Sequence, residues 1–158
     1  MRALLLSLAL AAQLCAFGAL AQPQEPQAAA TLTEELARHQ GTWVADSFRR
    51  DGEDAPANVV RTITRVVEGE RVVWKREGRS FAATTVILDP ARDPCWIDVI
   101  PEGGPHRGER ILGIYRLDND RLTICMADAG RPRPSEFQAE AGSGHNLMIF
   151  VRLPNAGK

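Results

Sequence analysis

The sequence predicts an all-β chain that folds as an eight-stranded antiparallel up-and-down barrel with a short N-terminal helix. From Gly41 onward, apolar and polar residues alternate with a period of two in about eight short runs. Turn-forming residues separate these runs, and no helical period appears between them. Strands joined in this way pair as a meander, and closing eight of them into a barrel removes the exposed sheet edges.

The N-terminus has the features of an export signal. Arg2 precedes an apolar run over residues 3–14, and Ala19-Leu20-Ala21 is the small-x-small pattern after which signal peptidase cleaves. The run is shorter than the roughly 20 residues that span a bilayer. A lipoprotein signal ending at Cys15 lacks the small residue that it needs just before the cysteine. We expect residues 1–21 to be a signal peptide and the mature protein to be periplasmic or extracellular, without stable membrane insertion.

A spacer and a single domain are expected after the signal. Residues 22–30 are polar, contain prolines and have no apolar period, which predicts a flexible spacer. Residues 31–158 are enough for one domain with one core. The formal net charge of −1 argues against the clustered cations of a nucleic-acid or anionic-membrane surface. We expect a monomer with no nucleic-acid partner.

One helix and eight strands are predicted in order. Thr31 and Glu34 have the spacing of a capping box, and Leu32 and Leu36 share one face of the helix that begins there. This helix is expected to close one end of the barrel. Gly-, Asn-, Asp- and Pro-containing turns separate the strands. The predicted strands span residues 42–49, 59–67, 71–76, 80–88, 95–100, 109–117, 121–127 and 145–153.

Alternation indicates which side of each strand faces the interior. In the second strand Arg61 and Arg65 share a side with Ile63, so the opposite side is the expected inner one. The last strand is expected to face inward with Leu147, Ile149 and Val151. The inner residues expected to contact a ligand are Thr62, Thr64, Trp74 and Tyr115. An eight-stranded barrel holds either packed side chains or one small ligand, and both alternatives remain open.

A series of short motifs runs along the predicted barrel. They are Gly41-Thr42-Trp43, Leu88-Asp89-Pro90, Ile97-Asp98-Val99, Gly108, Ile111-Leu112-Gly113-Ile114-Tyr115, Leu122-x-x-Cys125, Arg133-Pro134-Ser135-Glu136-Phe137 and Gly142-Ser143-Gly144-His145. With these motifs in this order, residues 36–153 resemble a lipocalin-like domain family of secreted proteins that is best known from planctomycete bacteria. The resemblance implies a calycin-type barrel, and it brings with it no established activity, ligand or catalytic residue.

The resemblance also implies a structural role for the first motif. In the lipocalin pattern, Gly41 opens the first strand and the Trp43 indole closes the barrel floor, with a cation from the last strand lying across it. Arg152 is the candidate for this cation. Such a cation–π contact contributes about 0.5–2 kcal/mol.

The Arg133–Phe137 motif is the most distinctive polar cluster, and it follows a Gly- and Pro-rich segment. One interpretation makes the loop of residues 128–136 an interaction surface for an envelope protein, using Arg133, Ser135, Glu136 and Phe137. The favoured interpretation is structural: Glu136 pairs with a neighbouring arginine, Phe137 plugs the barrel, and the prolines fix the path of the chain.

Two cysteines follow the predicted signal. Secretion favours a disulfide between Cys95 and Cys125. Their predicted strands, however, are separated by one other strand, a distance of about 9.5 Å, whereas bridged Cα atoms are usually under about 7 Å apart. Two free thiols are therefore the favoured state.

No catalytic or metal site stands out. Ser143 and His145 are close in sequence, but the Gly-x-Ser-x-Gly pattern and a group that would orient the histidine are missing. His39, His106 and His145 lack metal-ligand spacing, so no metal and no cofactor are expected. The favoured function is non-catalytic binding of a small, partly apolar ligand in the barrel. A packed protein-interaction barrel is the alternative, and an enzyme or a haem binder through His145 is the remote one.

Overall fold

Eight antiparallel strands close into a barrel in the computed structural model, which describes residues 31–154. The predicted signal peptide (1–21) and spacer (22–30) lie outside the described residues. The elements are α1 (Leu32–His39), β1 (Gly41–Arg50), β2 (Glu53–Asp54), α2 (Ala57–Val60), β3 (Ile63–Glu68), β4 (Arg71–Arg76), β5 (Arg79–Asp89), β6 (Cys95–Pro101), β7 (Ile111–Asp118), β8 (Arg121–Ala127) and β9 (His145–Arg152).

The strands pair in an up-and-down order. Each of β3 to β9 pairs with its neighbour in sequence, β1 pairs with β3, and the pairing of β1 with β9 closes the barrel. The short β2 pairs only with the end of β1. The predicted all-β, eight-stranded barrel with an N-terminal helix is therefore confirmed. One element differs, because residues 59–62 were expected in a strand, whereas Val59 and Val60 end the short helix α2 and Val60 is buried in the core.

A β-bulge in β1 changes which residues of that strand face inward. Ala45 pairs with Phe150 and Ser47 pairs with Ile149, so one extra residue lies between them. Trp43 and Ala45 belong to the buried core before the bulge, and Phe48 lines the interior after it. The inward side thus moves from odd to even positions, which explains the apolar residues on both sides of this strand in the sequence.

The predicted inner sides of β3 and β9 were wrong. In β3 the inner side includes Arg65, which is 1% exposed, and Val67. In β9 it includes Phe150, which is 1% exposed, whereas Val151 is 41% exposed. Charged residues usually face solvent, so the arginines of this strand were expected on the outer side. Arg65 is an exception to this rule. Because side chains alternate with a period of two, one misplaced residue reverses a whole strand.

Helix α1 closes one end of the barrel. The predicted capping box is formed, with the Thr31 and Glu34 side chains each bonded to the other's backbone N–H. The Trp43 Nε1 donates a hydrogen bond to the carbonyl of His39 at 2.9 Å, which ties the helix to β1. The guanidinium carbon of Arg152 lies 4.0 Å from the centroid of the Trp43 ring, so the contact expected from the lipocalin pattern is present.

Arg152 also joins three segments at this end. Its guanidinium donates to the backbone carbonyls of Arg38, in the last turn of α1, and Gln40, just after the helix. It also donates to the Asp120 carboxylate in the β7–β8 turn. The side chain is only 22% exposed. One guanidinium therefore holds the helix end, the Trp43 ring and a strand connection together.

Residues 128–144 form a strap over the outer face of β6, β7 and β8. The Arg133 guanidinium reaches Asp98 on β6 and the carbonyl of Gly113 on β7. The Cys125 thiol on β8 donates to the carbonyl of Gln138. The strap buries outward-facing residues such as Ile114, which is 1% exposed. Outward apolar residues on these strands are thus covered, although they lie outside the barrel core.

The closure at Arg152 gives a stability prediction. We expect Arg152→Met to lower the free energy of unfolding by about 1–3 kcal/mol, because it removes the cation–π contact and leaves backbone carbonyls unpaired. Urea unfolding monitored by circular dichroism measures this loss. Arg61→Met removes the same charge at an exposed position and is the control. An equal loss of stability in both variants would contradict the role assigned to Arg152.

Candidate functional site

The end of the barrel opposite α1 contains an open cavity of about 550 Å³. It is bounded by the last residues of β1, β4, β6 and β8 and the first residues of β5, β7 and β9. Most of its wall is apolar. The apolar lining includes Phe48, Trp74, Val86, Ile97, Val99, Ile111, Ile124, Met126 and Met148. Of the two alternatives that the sequence left open, the structure therefore shows a cavity rather than a filled core.

Small inner side chains make room for this cavity. Ala82 and Thr84 of β5 line it, and Ala82 lies beside the larger Trp74 of β4. On β7, Gly113 pairs with Met126 of β8, and the absence of a Cβ there leaves room for the Met126 side chain in the cavity wall, since a Cβ would lie 2.3 Å from the Met126 sulfur. The closed end instead holds large buried residues, including Trp43, Tyr115, Leu122 and Phe150. The barrel is thus packed at the helix end and hollow at the other.

Several charged residues line the cavity, and among them Arg65 is the buried one, with 1% of its surface exposed. Its neighbours in the sheet are Trp43 on β1 and Trp74 on β4. The guanidinium carbon lies 5.5 Å from the Phe150 ring centroid and 5.8 Å from that of Trp74. The cation is therefore bounded by aromatic rings at the level where the packed half of the barrel meets the hollow half.

The Arg65 charge has no acid partner among residues 31–154. Its Nε and Nη1 atoms are buried and form no hydrogen bond with the described part of the chain, and none of the ion pairs found there includes it. Burial lowers the pKa of Arg65 to about 9, so the side chain remains a cation at neutral pH. A buried charge without a counter-charge is costly for a fold.

A buried polar cluster lies beneath the cavity floor. The Tyr115 hydroxyl donates to Glu35 of α1 at 3.2 Å, and Glu35 also accepts from Arg38. The His39 ring is fully buried and packs edge-on against Tyr115, with 5.0 Å between the ring centroids. Burial, followed by the nearby charges of Arg65, Arg38 and Arg152, lowers the pKa of His39 to about 3. His39 is therefore neutral in the folded protein at neutral pH, although its Nε2 lies 3.9 Å from a Glu35 carboxylate oxygen.

The same cluster changes the acidity of Tyr115. Burial, followed by the charge of Glu35, raises the pKa of its hydroxyl well above the usual range. The hydroxyl therefore stays protonated and donates a hydrogen bond to the Glu35 carboxylate. This arrangement fixes α1 on the barrel end.

The structure brings only one of the four expected ligand-contacting residues into the cavity. Trp74 lines it. Tyr115 lies in the closed end instead, the Thr62 hydroxyl donates to the carbonyl of Val59, and Thr64 lies on the side of β3 opposite the buried Arg65. The inner threonine is Thr84, whose hydroxyl accepts from Trp74 Nε1 at 3.3 Å. The placement of Thr62 and Thr64 inside was wrong because it followed from the reversed side of β3.

The Arg133–Phe137 motif belongs to the strap. Arg133 pairs with the buried Asp98 and stacks 4.2 Å from the Trp96 ring centroid. Ser135 and Glu136 are exposed. Phe137 lies on the outer face, where the Arg116 guanidinium is 5.2 Å from its ring. The expected barrel plug at Phe137 was therefore wrong, and the arginine–carboxylate pair of this region joins Arg133 to Asp98 rather than involving Glu136.

Cys95 and Cys125, the two cysteines in the described part of the chain, are free thiols. Cys95 pairs with the inward-facing Tyr115, whereas Cys125 pairs with Ile114 on the strap side, so the two side chains lie on opposite faces of the sheet. Burial raises the pKa of both thiols, which keeps them protonated and unreactive at neutral pH.

The remaining sequence candidates occupy local structure. The Ser143 hydroxyl donates to the carbonyl of Glu140 and accepts from the backbone N–H of His145, an arrangement typical of a turn. His106 lies at the cavity mouth beside Glu109. Within the described residues, no group of three or more His, Cys, Asp or Glu side chains is placed to hold a metal ion. The helices described in residues 31–154 are too short or too polar to cross a bilayer.

Comparison of the chain with protein-family models, curated proteins and solved structures finds no match.

Neutral, buried His39 gives a prediction for pH dependence. The unfolded chain takes up a proton near the ordinary histidine pKa of 6.5, whereas the folded chain does so only near 3. We therefore expect the free energy of unfolding to fall as the pH drops below about 6.5, by at most about 1.4 kcal/mol per pH unit from this group. Urea unfolding between pH 7 and pH 5 measures the slope. This range is chosen because the carboxyls with lowered pKa values change the free energy of unfolding only at lower pH.

Two variants isolate the contribution of His39. His39→Phe keeps a ring against Tyr115 and removes ring nitrogens that have no hydrogen bond in the described residues, so this variant is expected to flatten the slope. His106→Gln removes a histidine that is about half exposed and is the control, and the flattening is expected to be larger in His39→Phe than in this variant. An equal slope in His39→Phe and the parent protein would contradict this explanation.

Proposed function

We propose that this protein binds a small, partly apolar ligand inside its barrel and performs no catalysis on it. The observation behind the proposal is the open cavity of about 550 Å³ with a largely apolar wall. Ligand pockets in proteins are typically about 300–1,000 Å³, with apolar walls and a few polar groups. The cavity has both the size and the composition of such a pocket.

The open end provides the route by which a ligand would enter. Phe81 is 56% exposed at the mouth, where an apolar side chain facing solvent favours contact with an incoming apolar molecule. Arg50 and Asp128 form an ion pair across part of the rim at 3.2 Å. The closed end is blocked by α1 and the packed aromatic residues, so entry and exit would use the same opening.

We also propose that the chain is an exported member of the lipocalin-like family that it resembles. The signal-like residues 1–21 support export, and the Trp43–Arg152 contact at the closed end supports the resemblance. Binding in the periplasm or outside the cell would suit a carrier or scavenger of poorly soluble molecules.

A protein-interaction role for residues 128–136 is a weaker proposal. Arg133 is held against Asp98 and Trp96, and Phe137 packs beside Arg116. Ser135 and Glu136 remain on the surface, where they would offer an envelope protein only a small polar patch. These contacts favour a structural role for the strap.

Two neighbouring alanines of β5 allow a matched test of the proposed site. Ala82 pairs with Trp74 and lines the cavity, whereas Ala83 pairs with Val73 on the outer side. We expect the fluorescence of N-phenyl-1-naphthylamine, a neutral apolar probe, to rise saturably with the parent protein. Ala82→Trp fills space near the mouth and should weaken probe binding by about tenfold or more, which corresponds to at least about 1.4 kcal/mol.

Ala83→Trp introduces the same side chain on the outer face and should bind the probe as the parent protein does. Absence of saturable binding to the parent protein would contradict the proposed function. An equal loss in both variants, with both folded by circular dichroism, would place the probe outside the cavity.

A further inference from the structure

We propose that the cavity selects amphipathic anions, whose carboxylate pairs with Arg65 at the cavity floor while the apolar part extends toward the mouth. This inference rests on the proposed function and names the chemical class of its ligand. The observations behind it are the buried position of Arg65 in the cavity wall and the missing partner for its charge among the described residues.

The other well-covered arginines show how this fold satisfies a guanidinium. The Arg133 side chain is 15% exposed and that of Arg152 is 22% exposed. Each pairs with a carboxylate, donates to at least one backbone carbonyl and stacks on a tryptophan ring. Arg65 is more deeply buried than either and has the aromatic contacts alone. A carboxylate is the part of this arrangement that Arg65 lacks.

The surroundings of Arg65 favour recognition of an anion. Its wall neighbours in the cavity, such as Trp74, Val86 and Ile124, are apolar or aromatic, and a charge pair is stronger in such a medium than in water. The planar guanidinium matches a carboxylate in geometry. The negative headgroup of a ligand would therefore gain affinity at the floor that an uncharged headgroup would not.

The charges beneath the floor do not supply the missing partner. Glu35 is engaged by Tyr115 and Arg38, and burial is the cause of the lowered pKa of Arg65, with no acid raising it. His39 is neutral and provides no negative charge to Arg65. The cavity side is thus the direction from which a counter-charge can arrive.

The stability of Arg65→Met distinguishes a structural role of Arg65 from a role in ligand binding. If the contacts with Trp74 and Phe150 are its purpose, Arg65→Met weakens the fold. If Arg65 is kept for an anionic ligand, Arg65→Met removes an uncompensated buried charge, and the ligand-free protein becomes equally stable or more stable. Residues whose function is to bind a ligand commonly lower the stability of the ligand-free protein.

The test uses the mature chain and competition against N-phenyl-1-naphthylamine at pH 8. Laurate and dodecanol have the same chain length and differ in the charge of the headgroup. We expect laurate to displace the probe from the parent protein at about a tenfold to hundredfold lower concentration than dodecanol. Arg65→Met should lose this preference while it keeps its affinity for dodecanol and for the probe.

Controls separate the inference from the proposed function. Arg61→Met makes the same charge change at an exposed site and should keep the laurate preference. Arg65→Lys retains a cation without the planar fork and should show an intermediate preference, which preserves the test if Arg65→Met fails to fold. Equal displacement of the probe by laurate and dodecanol from the parent protein would overturn the anion inference and leave the binding function intact. No binding of the probe, laurate or dodecanol would overturn both.

Discussion

The closure of the barrel at Trp43 and Arg152 is the constraint on which the rest of the structure depends. The pairing of β1 with β9 joins the first and last strands, and Arg152 lies across the Trp43 ring at that seam while it holds the end of α1. This seam packs one end of the barrel with large side chains. Beyond the bulge in β1 the two strands stay paired as far as Arg50 and Asn146, and the barrel interior at that end holds the cavity. The packed end and the cavity are therefore the two halves of one closed barrel.

Arg65 lies at the boundary between these halves and gives the cavity its chemical character. An apolar cavity alone favours any molecule of suitable size, because burial of apolar surface is not directional. A cation at the floor adds direction and sign, since it favours one headgroup charge and one orientation. The fold keeps this cation despite the absence of an acid partner among residues 31–154. We propose that a ligand supplies the negative charge that this cation lacks.

The sequence predicted the architecture well and the site poorly, for a physical reason. Period-two alternation and turn residues depend on local chemistry, so eight strands and the capping box at Thr31 were within reach of sequence analysis. Whether the barrel is open or filled was not, because the alternatives differ only in how side chains from separate strands pack together. The inward side of β3 was not, because Arg65 violates the rule that charged residues face solvent. The bulge in β1 and the packing of Met126 against Gly113 arise only when the strands pair. An arginine within an alternating strand, bordered by β-branched residues on both sides, was the one local signal available.

Native mass spectrometry of the protein purified from the cells that produce it tests the central claim most directly. We expect a mass above that of the polypeptide alone, and denaturation should release a small amphipathic acid that is detected in negative-ion mode. The same measurement on Arg65→Met should show the chain without this acid. A released molecule that is neutral or cationic, or an acid retained equally by Arg65→Met, would contradict the assignment of Arg65 as the residue that selects the ligand.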